Sequence, residues 1–238
     1  RFQHLLLMAR LYLFAEGQTE QTFADILMKP YLSQYEVYIY PILIAHARKK
    51  GKVHRGGGRN YEPMKNDILR FLRQEEKHSD VFFTTMIDLY AIPSDFPKLA
   101  QAEKMRQNPL ERAKLLEQRF ADDIKDKRFI PYIQLHEYEA YLFSDPGCFE
   151  GIDDNCTKKI NELREIAAQY KTPELINDGQ DTAPSKRIKD KFPCYAKAHH
   201  GPLLAKRIGL TVIREKCPHF NNWLEHLEKL NNLARRLG

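Results

Sequence analysis

Two apolar runs that each end in a carboxylate constrain this chain more than any other feature. Leu11 to Ala15 carries no charge and is followed by Glu16-Gly17-Gln18-Thr19-Glu20, and Val81 to Ile87 is equally uncharged and stops at Asp88. Apolar runs this short read as buried strands. In an open α/β sheet, ligands bind at the carboxyl ends of the strands. Glu16 and Asp88 therefore share one edge if their strands are neighbours. Gly17 permits a sharp turn, and from Thr19 onward Phe23, Ile26 and Leu27 recur at helical spacing. Glu20 falls in the first helical turn, where a negative charge suits the macrodipole and can face back toward Glu16. Carboxylates gathered this way suggest a divalent cation, because hard cations take oxygen ligands; the alternative is a solvated turn with a capping glutamate.

The segments between and after these runs give the fold class. Tyr35 to Ile44 is rich in β-branched and aromatic residues and reads as a strand whose far half Pro41 demotes to an edge or a strand end. Pro63 opens a helix with Ile68, Leu69 and Leu72 as its buried stripe, running to about Lys77. Strand, helix, strand, helix, strand is the rhythm of a parallel sheet with helical crossovers. Past Asp88 comes an irregular loop, Ile92 to Pro97, that carries Asp95. A charged helical region then extends from Lys98 to Lys127, broken near Pro109. Phe129 to Leu135 is a fourth strand, followed at once by Glu137 and Glu139. These two point the same way if the backbone stays extended and diverge if it is already helical. From Ser144 onward no convincing strand remains. Short helices are expected over 155–170, 185–191, 202–208 and 219–230, with Trp223, Leu224, Leu227 and Leu230 as core. The expectation is an α/β parallel sheet flanked by helices over 9–145, with a mainly helical C-terminal subdomain, 146–238, packed on it.

Charge placement points to an anionic partner. The net charge is +6, and the stretch His46 to Tyr61 alone holds six Lys or Arg and no acid. With Gly56, Gly57 and Gly58 in the same stretch, it reads as a mobile basic loop whose Arg48, Lys49, Lys50, Lys52, Arg55 and Arg59 bind nucleic acid. Lys186 and Arg187, beside Ser185, are a second candidate for binding phosphate at a helix start, the alternative being a solvated helix end. Cys148, Cys156, Cys194 and Cys217 have no CxxC spacing, which argues against a disulfide framework or a zinc ribbon and for a reducing cytoplasm. No apolar stretch reaches the roughly 18 residues of a membrane span. Met8 reads as a natural start, with residues 1 to 7 as an upstream extension.

The chemistry that fits carboxylates at several strand ends is phosphodiester hydrolysis, with cations flanking one phosphate so that one activates water and another stabilises the leaving oxygen. Glu16, Glu20, Asp88, Glu137 and Glu139 are the candidate metal ligands, and Glu16, Asp88 and Glu137 the candidate catalytic residues. There is no G-x-S-x-G elbow, Walker P-loop or GxGxxG to support another chemistry.

Five blocks occur in order: Glu16-Gly17-Gln18-Thr19-Glu20 after a strand; Met86-Ile87-Asp88-Leu89-Tyr90 with Asp95-Phe96-Pro97; Leu135 to Asp145; Asn177-Asp178-Gly179 with Ala183 to Ile188; and Cys217-Pro218-His219-Phe220 with Trp223. Together they resemble the DUF4276 family, TOPRIM-fold proteins related to the nuclease domain of OLD-type enzymes. The resemblance implies a TOPRIM-like sheet and Mg²⁺ (or Mn²⁺), held by a glutamate after the first strand and an Asp-x-Asp pair after a later one, which carries over to Glu16 and Asp88. Tyr90 stands at the second position of that pair, so Glu137, Glu139 or Asp95 has to replace the missing acid. The family is similar to the nuclease effector of the PARIS anti-phage defence system. That similarity implies a homodimeric ribonuclease acting on transfer RNA and held by an AAA/ABC-type ATPase partner. The competing expectation, kept open by Tyr90, is a TOPRIM-shaped binding or regulatory subunit with a weakened metal site. Topoisomerase or primase chemistry needs further modules for which 238 residues leave no room.

Overall fold

The first apolar run forms β1, Ala9–Ala15, in a computed structural model that describes residues 8–49, 52–55, 60–154, 156–176 and 181–237. Gly17 ends the strand, and α1, Gln18–Phe23, starts immediately. It continues through a π-helical turn, Ala24–Met28, into α2, Lys29–Leu32. Pro30 cannot donate to the carbonyl four residues back, and the widened turn directly precedes it. The second strand, β2, is Val37–Leu43, pairing parallel to β1 with Ala15 opposite Leu43. It lies at the outer end of the sheet, the position where Pro41 is tolerated.

The stretch expected to be a mobile basic loop is in part a hairpin: β3, Ala45–Lys49, pairs antiparallel with β4, Lys52–Arg55. The ladder between the two strands is made by backbone groups, which the charge of the sequence does not reveal, and glycines 56 to 58 lie outside the described residues. Arg48, Lys49, Lys52 and Arg55 thus lie on its strands, whereas Lys50 and Arg59 lie outside the described residues. The helix α3, Tyr61–Gln74, begins two residues before Pro63, because Asp95 Oδ1 accepts the Tyr61 N–H at 2.8 Å. A cap from a distant loop sets this helix start, which local sequence cannot show.

Next comes β5, Val81–Asp88, buried at every position and paired parallel to β1. The helical region after it is split into α4, Leu99–Glu103, and α5, Pro109–Ile124. The fourth strand is two short pieces, β6, Phe129–Ile130, and β7, Ile133–Gln134, both parallel to β5. Pro131 lies between them and cannot donate to a ladder. The sheet order is β2-β1-β5-β6, with β7 also on β5. The remaining described chain is helical: α6, Cys156–Ala168; α7, Pro184–Lys191; α8, Lys197–Ile208; α9, Leu210–Lys216; α10, Pro218–Glu228; and α11, Leu230–Leu237. Among the described residues, no helix is long and apolar enough to cross a membrane.

Period-two alternation sends neighbouring side chains of the central strands into two separate cores. Leu11, Leu13, Phe82 and Met86 face one that includes Phe23, Phe220, Trp223 and Leu224. Phe14, Phe83 and Ile87 face the other, filled by Ile68, Leu116 and Phe120 of α3 and α5. The C-terminal helices therefore share one face of the sheet with α1 and α2. Trp223 locks them down: its indole stacks on Tyr132 at 4.1 Å between centroids, and its N–H donates to Thr84 Oγ at 3.0 Å. Where α8 crosses α1, Gly201 lets the backbones approach. A Cβ at Gly201 would meet Tyr138, the Tyr195 hydroxyl and Thr19 at 3.1, 3.2 and 3.3 Å. We expect Gly201→Ala to destabilise the fold by about 1–3 kcal/mol, the usual cost of overpacking, measured as a lowered denaturant midpoint with an unchanged m-value.

Candidate functional site

Parallel pairing places the ends of β1 and β5 side by side, and a hydrogen bond joins them: the Asp88 N–H donates to Glu16 Oε2 at 2.8 Å. Glu16 is thus oriented by the neighbouring strand end. Glu20, in the first turn of α1, is buried next to it. On the other side, His136 takes a left-handed φ of 59°, rare for a residue with a Cβ, and turns the chain out of β7. Glu137 is still extended, and a 3-10 turn begins at Tyr138 and runs to Ser144. The two glutamates accordingly diverge. Glu139 is fully buried and points into the cluster, where Tyr195 donates to its Oε1 at 3.4 Å. Glu137 is turned toward α7, accepting the Ser185 N–H at 2.9 Å and the Ser185 hydroxyl at 3.1 Å. The anion at this helix start is therefore the protein's own carboxylate. Of the neighbouring basic residues, Lys186 is exposed, and Arg187 donates to the Thr182 carbonyl and the Tyr170 hydroxyl.

The residue that sequence reasoning missed is Lys197, at the start of α8. Its ammonium lies 3.1 Å from Glu139, 3.3 Å from Asp88 and 3.9 Å from Glu20. It stands 109 positions from Asp88 in a segment with no strand-end signature, so only the tertiary fold brings it here. A lone lysine near the start of a helix was the sole local signal. Glu16, Gly17, Thr19, Glu20, Asp88, Lys197 and Ala198 line an open cleft of about 250 Å³. The cleft receives the helix's positive end as well as the ammonium.

Burial first, and neighbouring charge second, perturb Glu16, Glu20, Asp88, Glu139 and Lys197. Burial pushes the Glu16 carboxyl up to about 8, and Asp88 adds to the shift. Burial likewise pushes Glu20 and Glu139 up to about 7, with Lys197 pulling both back. Asp88 is raised by burial against the pull of Lys197. Lys197 itself is held well above the usual range by Asp88, Glu139, Glu20 and Glu137, whose combined attraction exceeds the cost of its burial. Glu16, Glu20, Asp88 and Glu139 thus gather at one ammonium, while Glu137, held by Ser185, acts on Lys197 through its charge alone.

Among the described residues, no group of three or more His, Cys, Asp and Glu side chains stands ready as a metal-ligand set, and the Lys197 ammonium lies between Asp88 and Glu139. The donor chemistry nevertheless fits a hard divalent cation. Every donor is an oxygen, the carboxylates outnumber the cations, and Asp88 Oδ1 is buried without a hydrogen-bond partner among the described residues. Asp95, the other acid considered in place of Tyr90, is engaged as the cap of α3. The asparagine, aspartate and glycine at 177 to 179 lie outside the described residues.

The pKa directions fix a pH dependence. A carboxyl whose folded value is raised binds its proton more tightly in the folded state, so the penalty is absent below about 4.5, the ordinary value, and complete above about 8. Stability in chelating buffer should therefore fall as the pH rises from 5 to 8, read as a progressively lower Tm. Glu139→Gln should flatten the profile, and calorimetry across that window checks both expectations.

The chain belongs to the DUF4276 family, described as a domain of unknown function, whose model matches residues 15–228. Among curated proteins, none matches it in sequence. A solved structure that it resembles is the C-terminal region of the OLD protein of Xanthomonas campestris pv. campestris, with a TM-score of 0.45 and 14% identity over 96% of this chain and 98% of that one.

Proposed function

We propose that this DUF4276 protein is a divalent-cation-dependent phosphodiesterase that cleaves nucleic acid. The observation that carries the reading is the gathering of Glu16, Glu20, Asp88, Glu137 and Glu139 around Lys197 at the carboxyl edge of a parallel sheet. Glu16, Glu20, Asp88 and Glu139 would hold Mg²⁺ or Mn²⁺, with Glu137 supporting them from its Ser185 clamp. When bound, the cation supplies an activated water and charge stabilisation of the leaving oxygen. The protein's own residues supply position and charge balance. The Asp88 amide fixes Glu16, and Lys197 offsets the repulsion that an anionic substrate meets in a cleft lined by carboxylates.

The basic hairpin suits the same reading. It follows Leu43, the residue opposite Ala15, so the chain enters it from the edge that carries Glu16. We assign Arg48, Lys49, Lys50, Lys52, Arg55 and Arg59 to the backbone of the nucleic acid, with Lys186 and Arg187 as a lesser surface. The resemblance to anti-phage effectors makes RNA, and transfer RNA in particular, the expected substrate. The same resemblance suggests a homodimer restrained by an ATPase partner and a place in bacterial defence.

A second reading has its own observation. Lys197 already pairs with Asp88 and Glu139, which lets the site persist without a cation and suits a regulatory subunit of an ATPase-containing complex. Incubation with total RNA, transfer RNA and DNA, with Mg²⁺ or with EDTA, separates the two. Cleavage that EDTA stops supports the enzyme; tight binding without cleavage in either buffer supports the regulatory subunit.

Glu16→Gln and Asp88→Asn should each lower the cleavage rate by at least about 100-fold, because each removes a ligand charge without opening a cavity. Either variant cutting at the wild-type rate places the cation elsewhere. The joint replacement of Arg48, Lys49, Lys50 and Lys52 by Ala should weaken binding and reduce the log–log salt slope by roughly 0.7 to 0.9 for each phosphate that is no longer neutralised, with Tm nearly unchanged. An unaltered slope excludes the hairpin from the binding surface.

A further inference from the structure

Tyr90 presents an aromatic ring to solvent beside the carboxylate edge. It follows Asp88 by two residues, in the 3-10 turn Leu89–Ala91, and is 51% exposed, whereas Leu89 before it is buried. Its backbone N–H donates to the His136 carbonyl at 3.0 Å. The turn is thereby tied to the strand end that carries Glu137, which holds the position of Tyr90 relative to the acids. Among the described residues, no ring contact or side-chain hydrogen bond engages the Tyr90 ring.

The surroundings divide sharply by polarity. On one side of Glu16 and Asp88 lies the cleft with Glu20 and Lys197. On the other, the same two acids border a narrow recess walled by Met64, Ile87, Ala91, Ile92 and Pro93. Four of those wall residues, Ile87, Ala91, Ile92 and Pro93, belong to the segment that contains Tyr90. The recess, with room for about 10 Å³, does not admit a base, so it offers an apolar wall rather than a pocket. Charged groups on one side and an apolar wall on the other, with the exposed ring of Tyr90 in the same segment as that wall, match the two halves of a nucleotide.

We infer that Tyr90 is a stacking platform for an unpaired base next to the phosphate held at the carboxylate edge, so that the site selects single-stranded or looped nucleic acid over continuous duplex. In a duplex the faces of the bases are covered by their neighbours, and an aromatic side chain gains a base face only when the strand is unpaired. The inference rests on the phosphodiesterase reading and adds a substrate class and a specificity residue to it. It also gives a role to a position where a phenol, a poor replacement for a carboxylate ligand, follows Asp88.

The test measures fluorescence anisotropy of a labelled 20-nucleotide RNA, free and annealed to its complement, with Ca²⁺ replacing Mg²⁺. Wild type should bind the free strand more tightly than the duplex. Tyr90→Ala should weaken free-strand binding by about tenfold and leave duplex binding unchanged, while Tyr90→Phe and Tyr90→Trp, which keep a ring, stay within about twofold of wild type. In Mg²⁺, Tyr90→Ala should raise KM for the single strand with little change in kcat. Tyr90→Ala binding the free strand like wild type, weakening both forms equally, or behaving like Tyr90→Phe overturns the stacking role and leaves the phosphodiesterase reading standing. A wild-type protein that neither binds nor cuts nucleic acid overturns both.

Discussion

Like charges gathered at one sheet edge repel one another, and the contact of Lys197 with Asp88, Glu139 and Glu20 is what the site depends on. Carboxylates at this depth have two ways to lower their energy: taking up protons or acquiring a cation. The raised values of Glu16, Glu20 and Glu139 show that one ammonium does not satisfy them all. The edge is left with an unmet demand for positive charge near neutral pH. Under the phosphodiesterase reading a divalent cation would meet that demand, and the open cleft offers it access.

The scaffold explains how such a repulsive group is tolerated. Glu16 and Asp88 stand at the ends of β1 and β5, whose remaining residues fill two cores on opposite faces. Each acid is thus anchored by a strand whose burial it does not disturb. On one face, Trp223 stacks on Tyr132 and bonds Thr84 in the middle of β5, which fixes the C-terminal helices on the sheet. On the same side, Gly201 brings α8 against α1, setting the distance between Lys197 and Glu20. Packing beside and beneath the cleft therefore supports the charge geometry within it.

What the sequence made legible follows from the range of each interaction. Strand ends, the Gly17 turn and the helix carrying Glu20 are local patterns, and the parallel rhythm was enough to bring Glu16 and Asp88 to one edge. Lys197 was not legible, because nothing near it distinguishes it from any lysine at a helix start, and its partners come from three other elements. Neither was the role of Asp95, whose hydrogen bond to Tyr61 spans 34 positions and resets the start of α3. Glu137 and Glu139 were recognised as a pair, but their divergence depends on the left-handed φ at His136, a conformation that histidine adopts only where surrounding contacts impose it. The basic stretch misled for a different reason: its composition signalled solvent exposure, while the ladder between β3 and β4 depends on backbone groups that composition does not reveal.

The position of Tyr90 shows how the two sides of the edge differ in what they can recognise. A second acid there would extend the charged side and add to repulsion that already raises Glu16 and Asp88. A neutral ring adds none, and the apolar wall formed by Ile87, Ala91, Ile92 and Pro93 comes from the same segment of chain. The edge then carries its negative charge toward α1 and α8 and its apolar surface toward the loop after β5. A ligand with an anionic group at one end and a flat ring at the other, such as a nucleotide, would match this division. Recognition of this kind would read neither sequence nor strand direction, since every base offers a similar face to a ring and is flanked by a linkage on each side.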